Sequence, residues 1–305
     1  MSVTVSVIVP TRNRREMLLR ALRSVESQSF QDFELWVVDD GGQDGSSGAV
    51  EQHFPRAQLV RSGQSLGASG ARNLAMEKAQ GKYLAFLDDD DIWHATFLEK
   101  MVGALERVPM AALAFSGHTT VGADGVASQP DLGPVRSYPS MHHYLVSEAF
   151  VHSMSLVVCQ SAAVRKVGPL SPTLTYVQDL DFYYRLLDAG TFVYVPENLV
   201  EVRLHSSNLT RQRHKWYQEE LLWLARQIDL EGSLKSEARR LISYRTLYHA
   251  SRFWKAGEPW QAARLATEAW LRSPWFTLAT AVKKWRRRGH RPPNPGGIGL
   301  HIWAS

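Results

Sequence analysis

Cysteine is almost absent from the 305-residue chain. With Cys159 alone, neither an intramolecular disulfide nor a cysteine-based zinc centre can form, and a reducing compartment is favoured. No apolar run approaches the ~18 residues that a membrane-spanning helix needs. The opening MSVTVSVIVP lacks a basic leader, and its apolar stretch stops at Pro10, so it reads as a strand and not a signal peptide. These absences predict a cytoplasmic protein. Three common active-site signatures are missing as well. The first strand runs into Pro10-Thr11-Arg12-Asn13-Arg14 and not into GxGxxG, and Gly81-Lys82 has Met76 where a P-loop requires glycine. No serine sits in a GxSxG elbow. These absences argue against a dinucleotide-binding domain and leave P-loop and serine-hydrolase chemistry without support.

What is present is the composition of an ordinary globular protein, 44% apolar and 21% charged. The net charge of +5 is unevenly distributed. Lys283, Lys284, Arg286, Arg287, Arg288 and Arg291 contribute six positive charges, and without them the remainder stands at −1. A near-neutral body with a basic tail argues against a nucleic-acid partner. With Trp275, Phe276 and Trp285 beside it, the tail reads instead as a peripheral contact for anionic membrane.

Apolar runs at Val3–Val9, Phe33–Val38, Gln58–Val60 and Tyr83–Leu87 alternate with helical patterns at Arg14–Gln28, Ser47–His53 and Ala68–Gln80. Such alternation predicts right-handed βαβ crossovers and a mostly parallel α/β sheet. Further strands are expected at Ala111–Phe115, Ser153–Val158, Phe192–Val195 and Leu199–Leu204, with a helix at Asp179–Ala189. Beyond residue 210 strand-like runs cease. Three amphipathic stretches, Trp216–Leu230, Ser236–Lys255 and Pro259–Arg272, are separated by Gly232 and Gly257 and closed by Pro274. The expected division is a catalytic domain over 1–210, a helical appendage over 211–290 and a flexible tail over 291–305.

Ligands of an open parallel sheet bind beyond the carboxyl ends of its strands. Three polar segments stand at such ends: Pro10–Asn13, Asp39–Gly42 and Asp88–Asp91. Four adjacent aspartates repel one another, and a divalent cation with hard oxygen ligands offsets that charge. The plainer alternative is a solvated acidic turn before a helix starting near His94. Asp39-Asp40-Gly41-Gly42 suits a turn, or a carboxylate that accepts from a nucleobase edge. Gly67–Asn73 opens a helix whose N-terminal amides could face phosphate.

In order along the chain, VSVIVPTRNR, ELWVVDDGGQDGS, GASGARNLA, YLAFLDDDDIW, QDLDFYYRLLDAG and VRLHSSNLT resemble the successive blocks of the family 2 glycosyltransferases, which have the GT-A fold. The resemblance covers about residues 3 to 210 and is specific for family but not for substrate. It implies a GT-A α/β fold and an inverting transfer of sugar from a nucleotide-diphosphate donor, usually UDP- or dTDP-linked, to a hydroxyl of a glycan or lipid-linked saccharide. Pro10, Thr11 and Arg12 would line the nucleotide pocket, with Arg72 and Asp89 also at the donor. Asp40 would hold the base and Asp88 the ribose. Asp90 and His205 would ligate manganese or magnesium, and Asp179 would be the general base. Gln178 departs from the glutamate common there, and Asp89 and Asp91 leave the metal register open by one position. Two other classes share some of these features. A nucleotidyltransferase would need a glycine-rich loop after the first strand, and a non-catalytic scaffold would not need Asp40, Asp90 and Asp179 together.

Overall fold

A computed structural model describes residues 3–122, 125–128, 153–205, 212–230, 238–274, 277 and 301–303. It divides into two compact units: residues 1–142, 150–208 and 299–305 in the first, and residues 143–149 and 209–298 in the second.

The first unit is a curled sheet flanked by helices. Its opening half alternates β1 (Val5–Thr11), α1 (Arg15–Glu26), β2 (Phe33–Asp39), α2 (Ser46–His53), β3 (Ala57–Arg61), α3 (Gly67–Met76) and β4 (Tyr83–Phe86). Then come β5 (Ile92–Trp93), α4 (Phe97–Arg107), β6 (Ala111–Val121), β7 (Ala127–Ser128), β8 (Val157–Gln160), α5 (Ser161–Val167), α6 (Gln178–Leu186) and β9 (Thr191–Arg203). The sheet order is β10-β9-β6-β8-β4-β1-β2-β3, where β10 is His301–Trp303. β1 pairs in parallel with both β2 and β4, β2 with β3, and β6 with β9. Every residue of β1 and β4 is buried, which explains their unbroken apolar runs.

Three features depart from the sequence reading. β8 runs antiparallel to both neighbours, β4 and β6, and residues 154–156 before it form a 3-10 turn and not part of a strand. The two strands expected at Phe192–Val195 and Leu199–Leu204 are one strand of 13 residues, β9, kept continuous by a bulge around Pro196–Asn198. Gly117 faces that bulge, and a Cβ there would lie 2.4 Å from the Asn198 side chain. Lastly, in the stretch read as a tail, His301–Trp303 pair antiparallel with Phe192–Tyr194 of β9.

The β1–β2 register runs from Val5 opposite Phe33 to Thr11 opposite Asp39. The Asp40 amide donates to the Thr11 carbonyl (2.9 Å) and the Leu87 amide to that of Ile8 (3.0 Å). The carboxyl ends of β1, β2 and β4 therefore finish side by side, and the polar segments following them share one rim.

The second unit contains α7 (Arg213–Leu230), α8 (Ala238–Lys255) and α9 (Pro259–Arg272). Gly257, with φ of 77°, ends α8, and Pro259 occupies the first turn of α9, where it costs no hydrogen bond. Tyr217, Ala250, Phe253, Ala262 and Leu265 form the core. Beside it Glu220 is buried, with its carboxylate on Arg245 and 2.8 Å from His249 Nε2. Burial alone would raise the Glu220 pKa, but the two bases overcome it and hold the group down to about 2. Glu220→Ala strands a buried guanidinium, so it is expected to lower the stability of this unit by about 3–5 kcal/mol, read by urea unfolding. A loss below about 1 kcal/mol would mean that water reaches Arg245. Among the described residues no helix is long and apolar enough to cross a membrane. The basic cluster at 283–291 and its aromatic neighbours Trp275, Phe276 and Trp285 lie outside the described residues.

Candidate active site

The four aspartates after β4 are not equivalent. Asp89 turns towards β1 and α1, accepting from Thr11 Oγ1 (2.7 Å) and Arg14 Nη1 (2.9 Å). It is buried, and that burial pushes its pKa up to about 6 against the pull of Arg14. Asp88, Asp90 and Asp91 converge, each offering a carboxylate oxygen within 4.8 Å of the others. Asp91 is the most deeply placed. Burial, followed by repulsion from Asp88 and Asp90, raises its pKa well above the usual range. Asp90 Oδ2 receives both Arg14 Nη1 (2.9 Å) and His205 Nε2 (2.6 Å).

His205 follows β9, 115 positions from Asp90. β9 passes behind the aspartate turn: β5 pairs antiparallel with it, and the Arg203 amide donates to Asp91 Oδ1 (3.2 Å). The cluster fits a small divalent cation. Its donors are hard carboxylate oxygens, with the His205 imidazole against Asp90 and Arg14 partly offsetting the charge of Asp89 and Asp90. A cavity of about 540 Å³ lies against Asp90 and His205, with Met17, Ile92, Val121 and Leu204 among its walls.

On the β2 side, Asp40 is buried and fully engaged. Oδ1 accepts from the Leu66 amide (2.7 Å) and Ser62 Oγ (3.2 Å), and Oδ2 from Ser65 Oγ (2.7 Å) and the Gly67 amide (3.0 Å). Those bonds hold the loop that enters α3. Arg12, exposed at the end of β1, reaches the same loop through Ser65 Oγ (3.0 Å). Pro10 is buried within β1 opposite Val38. Asn13, the only described non-glycine with positive φ (55°), shapes the neighbouring turn through its Oδ1, which accepts the Gln43 amide (2.7 Å).

The third group joins α3 to α6. Buried Arg72 pairs with Asp88, while among the described residues its Nε and Nη1 have no hydrogen-bond partner. Ser69 donates to Gln178 Oε1, and Asn73 exchanges two hydrogen bonds with the Leu170 backbone (2.9 and 3.0 Å). The first ties α6 to α3, and the Asn73 pair ties α3 to the loop between α5 and α6. Gln178 thus contributes a neutral acceptor where the related motif more often has a charge. Asp179 lies in the first turn of α6 and accepts the Leu180 amide (2.8 Å). The cap position belongs to Val177, two residues before it. Burial drives its pKa up to about 6, the Leu180 amide and Arg72 pull the other way, and Asp88 adds to the rise.

The fold therefore brings Thr11, Asp88, Asp89, Asp90 and His205 together, and places Arg72 and Asp179 close to Asp88. Sequence reasoning missed Arg14, which bridges Asp89 and Asp90, and Ser153, whose hydroxyl lies 3.4 Å from both Asp88 and Asp91. Arg14 carried a usable signal, being one residue before a helix that starts at the binding rim.

Comparison with known proteins agrees with this architecture. Residues 6–145 match the glycosyl transferase family 2 model. A putative teichuronic acid biosynthesis glycosyltransferase, TuaG of Bacillus subtilis, is 30% identical over 72% of this chain and 85% of its own length. The Escherichia coli WfgD, a UDP-Glc:alpha-D-GlcNAc-diphosphoundecaprenol beta-1,3-glucosyltransferase, is 37% identical over 33% of this chain and 40% of its own. Among solved structures, Staphylococcus aureus TarS 1-349 in complex with UDP-GlcNAc superposes with a TM-score of 0.65 at 16% identity, covering 99% of this chain and 97% of that one. The mannosyltransferase PcManGT of Pyrobaculum calidifontis, in complex with GDP-Man and Mn2+, gives 0.59 at 20% identity over 93% and 87%. At such identities the two structures speak for the fold alone. With the aspartate rim built on this sheet and a relative of this identity and coverage, the chain belongs to glycosyl transferase family 2, with a GT-A fold, and is a glycosyltransferase.

Proposed function

We propose that the chain is an inverting, divalent-metal-dependent transferase that moves a sugar from a UDP- or dTDP-linked donor to a hydroxyl of a glycan or lipid-linked saccharide. The observation that carries this reading is the separation of two acidic groups by element. Asp88, Asp90 and Asp91 come from the β4–β5 turn, and Asp179 comes from α6. In an inverting displacement the base and the leaving group lie on opposite faces of the sugar, which suits carboxylates from separate segments.

In this reading Pro10, Thr11 and Arg12 line the nucleotide pocket, and Asp40 shapes it by holding the 62–67 loop, with the base seated against that loop. Asp88 takes the ribose, while Asp89 keeps Thr11 and Arg14 in place beside it. Asp90 and His205 hold manganese or magnesium, which when bound stabilises the negative charge of the departing diphosphate. The unpartnered Nε and Nη1 of Arg72 supply two donors for a donor oxygen. Asp179 accepts the proton of the acceptor hydroxyl as its oxygen bonds to the anomeric carbon and the bond to the diphosphate breaks. The nucleoside diphosphate leaves, and the proton stays on Asp179.

The names of relatives support a uridine donor and a lipid-linked or cell-surface acceptor: one is a UDP-Glc enzyme acting on a diphosphoundecaprenol, another a teichuronic acid enzyme. The catalytic part would be residues 1–210 and the helical part 211–290. The basic tail would draw a cytoplasmic protein to an anionic membrane surface. A panel of nucleotide sugars, each tested for hydrolysis and for a rise in Tm with manganese or with chelator, checks this reading. Hydrolysis and stabilisation are expected with a UDP- or dTDP-sugar and only with metal. Equal stabilisation in chelator would overturn the metal assignment, and a response confined to purine donors would overturn the donor assignment.

A further inference from the structure

α9 is apolar on two sides. Ala262, Leu265 and Ala269 are buried in the core of the helical unit. On the side turned away from them, Trp260 is 87% exposed and Leu271 70% exposed, eleven residues apart and so on one stripe, with Trp270 flanking it at 51%. Trp254, near the end of α8, is 67% exposed. Three exposed tryptophans on one helical hairpin exceed the scattered surface apolar residues of an ordinary protein.

The charge around them has one sign. Lys255 and Arg264 are exposed. The two acidic residues of the hairpin are already neutralised, Glu258 by Arg213 (3.0 Å) and Glu268 by Arg272 (2.8 Å). Residues 238–274 hold seven Lys and Arg against those two acids. From 238 to the end the chain carries +11, which leaves −6 for residues 1–237. The positive charge of this protein therefore resides in its C-terminal part, well beyond the tail alone.

We propose that the exposed face of the α8–α9 hairpin, centred on Trp254 and Trp260, is a docking surface for an anionic lipid bilayer. Tryptophan favours the headgroup region, where its ring leaves water and its N–H stays hydrated. Lys255 and Arg264 beside it meet the lipid phosphates. A second copy of the chain fits this face poorly, because it would bring the same cations against each other. A soluble polyanion would pair with the cations but leave the tryptophans in water.

The test uses the full chain and vesicles of phosphatidylcholine with or without phosphatidylglycerol, read by co-sedimentation and by quenching of tryptophan fluorescence with brominated phosphatidylcholine. Wild type is expected to bind only the phosphatidylglycerol vesicles and to be quenched. Trp254→Ser with Trp260→Ser should weaken binding about tenfold or more, at unchanged Tm because both side chains are exposed. Lys255→Gln and Arg264→Gln should each weaken it about fivefold. A full chain with glutamine at the six tail positions from Lys283 to Arg291 should keep the quenching. The proposal is overturned if the double tryptophan variant binds as wild type does, if the tail variant loses all quenching, or if the tryptophans instead govern dimerisation without lipid. Donor hydrolysis without vesicles reports separately on the transferase reading, on which this surface does not depend.

Discussion

Asp90→Ala is expected to cut sugar transfer at least about a thousandfold while leaving the fold intact. The carboxylate is the meeting point of the rim: Arg14 and His205 both end on its Oδ2 (2.9 and 2.6 Å), and Asp88 and Asp91 stand within 4.8 Å. Deleting it removes one hard oxygen ligand and lets Arg14 settle on Asp89, its other partner. Charge stabilisation by a bound cation is worth several kcal/mol in the transition state, and each 1.36 kcal/mol is tenfold in rate. The fold should survive, because the excised group relieves repulsion on buried Asp91 as well as removing a bond. The measurements are transfer rate, donor affinity with manganese and with chelator, and Tm. Wild type should bind donor more tightly with manganese, and Asp90→Ala should respond little to it. Asp89→Asn serves as the register control. Its neighbours are Thr11 and Arg14, so its loss should show in the Tm more than in the manganese response. A variant at Asp90 that keeps its manganese response would move the metal assignment to Asp88 and Asp91.

How much of this could be read beforehand follows from which interactions are local. Apolar runs ending in polar clusters marked β1, β2 and β4 and their shared rim, because burial on both faces writes itself into consecutive residues. Strand direction has no such mark, so β8 running against its neighbours was not visible. The expected strands stopped at Val195 and resumed at Leu199, whereas Gly117 on the partner strand makes room for the bulge that keeps β9 whole. The nearness of His205 to Asp90 depends on β5 pairing with β9 and was reachable only through the family resemblance. Arg14 stands one residue before α1 at the rim, which marks its place, but that it bridges Asp89 and Asp90 follows only from the fold. Asp40 was assigned to a base edge, yet its four acceptor contacts are filled by the chain itself. That role is invisible without the fold of the 62–67 loop.

Asp179→Asn should lower kcat by about 10²–10⁴ while donor affinity and Tm stay near wild type. Asparagine keeps the side-chain oxygen that accepts the Leu180 amide (2.8 Å), so the first turn of α6 should be undisturbed. What it cannot do is take a proton. The pKa sets the pH at which the difference appears. Burial holds the Asp179 carboxyl up to about 6, so the proton-accepting form predominates above that pH and is lost below it. The kcat/KM of wild type should therefore fall about tenfold per pH unit on the acid side of about 6, and the asparagine variant should lack that limb. Arg72, which draws the pKa down, offers an independent handle. Replacing it by glutamine should move the acid limb to higher pH, because the buried carboxylate loses a cation that draws its pKa down. Since Arg72 also pairs with Asp88, that variant should weaken donor binding too, whereas Asp179→Asn should not. Wild-type turnover in Asp179→Asn would transfer the base role to another carboxylate such as Asp181, which is already engaged by Arg185 (3.0 Å). Loss of donor binding together with turnover would instead make Asp179 part of the donor site, and a retained acid limb would show that the titrating group is elsewhere.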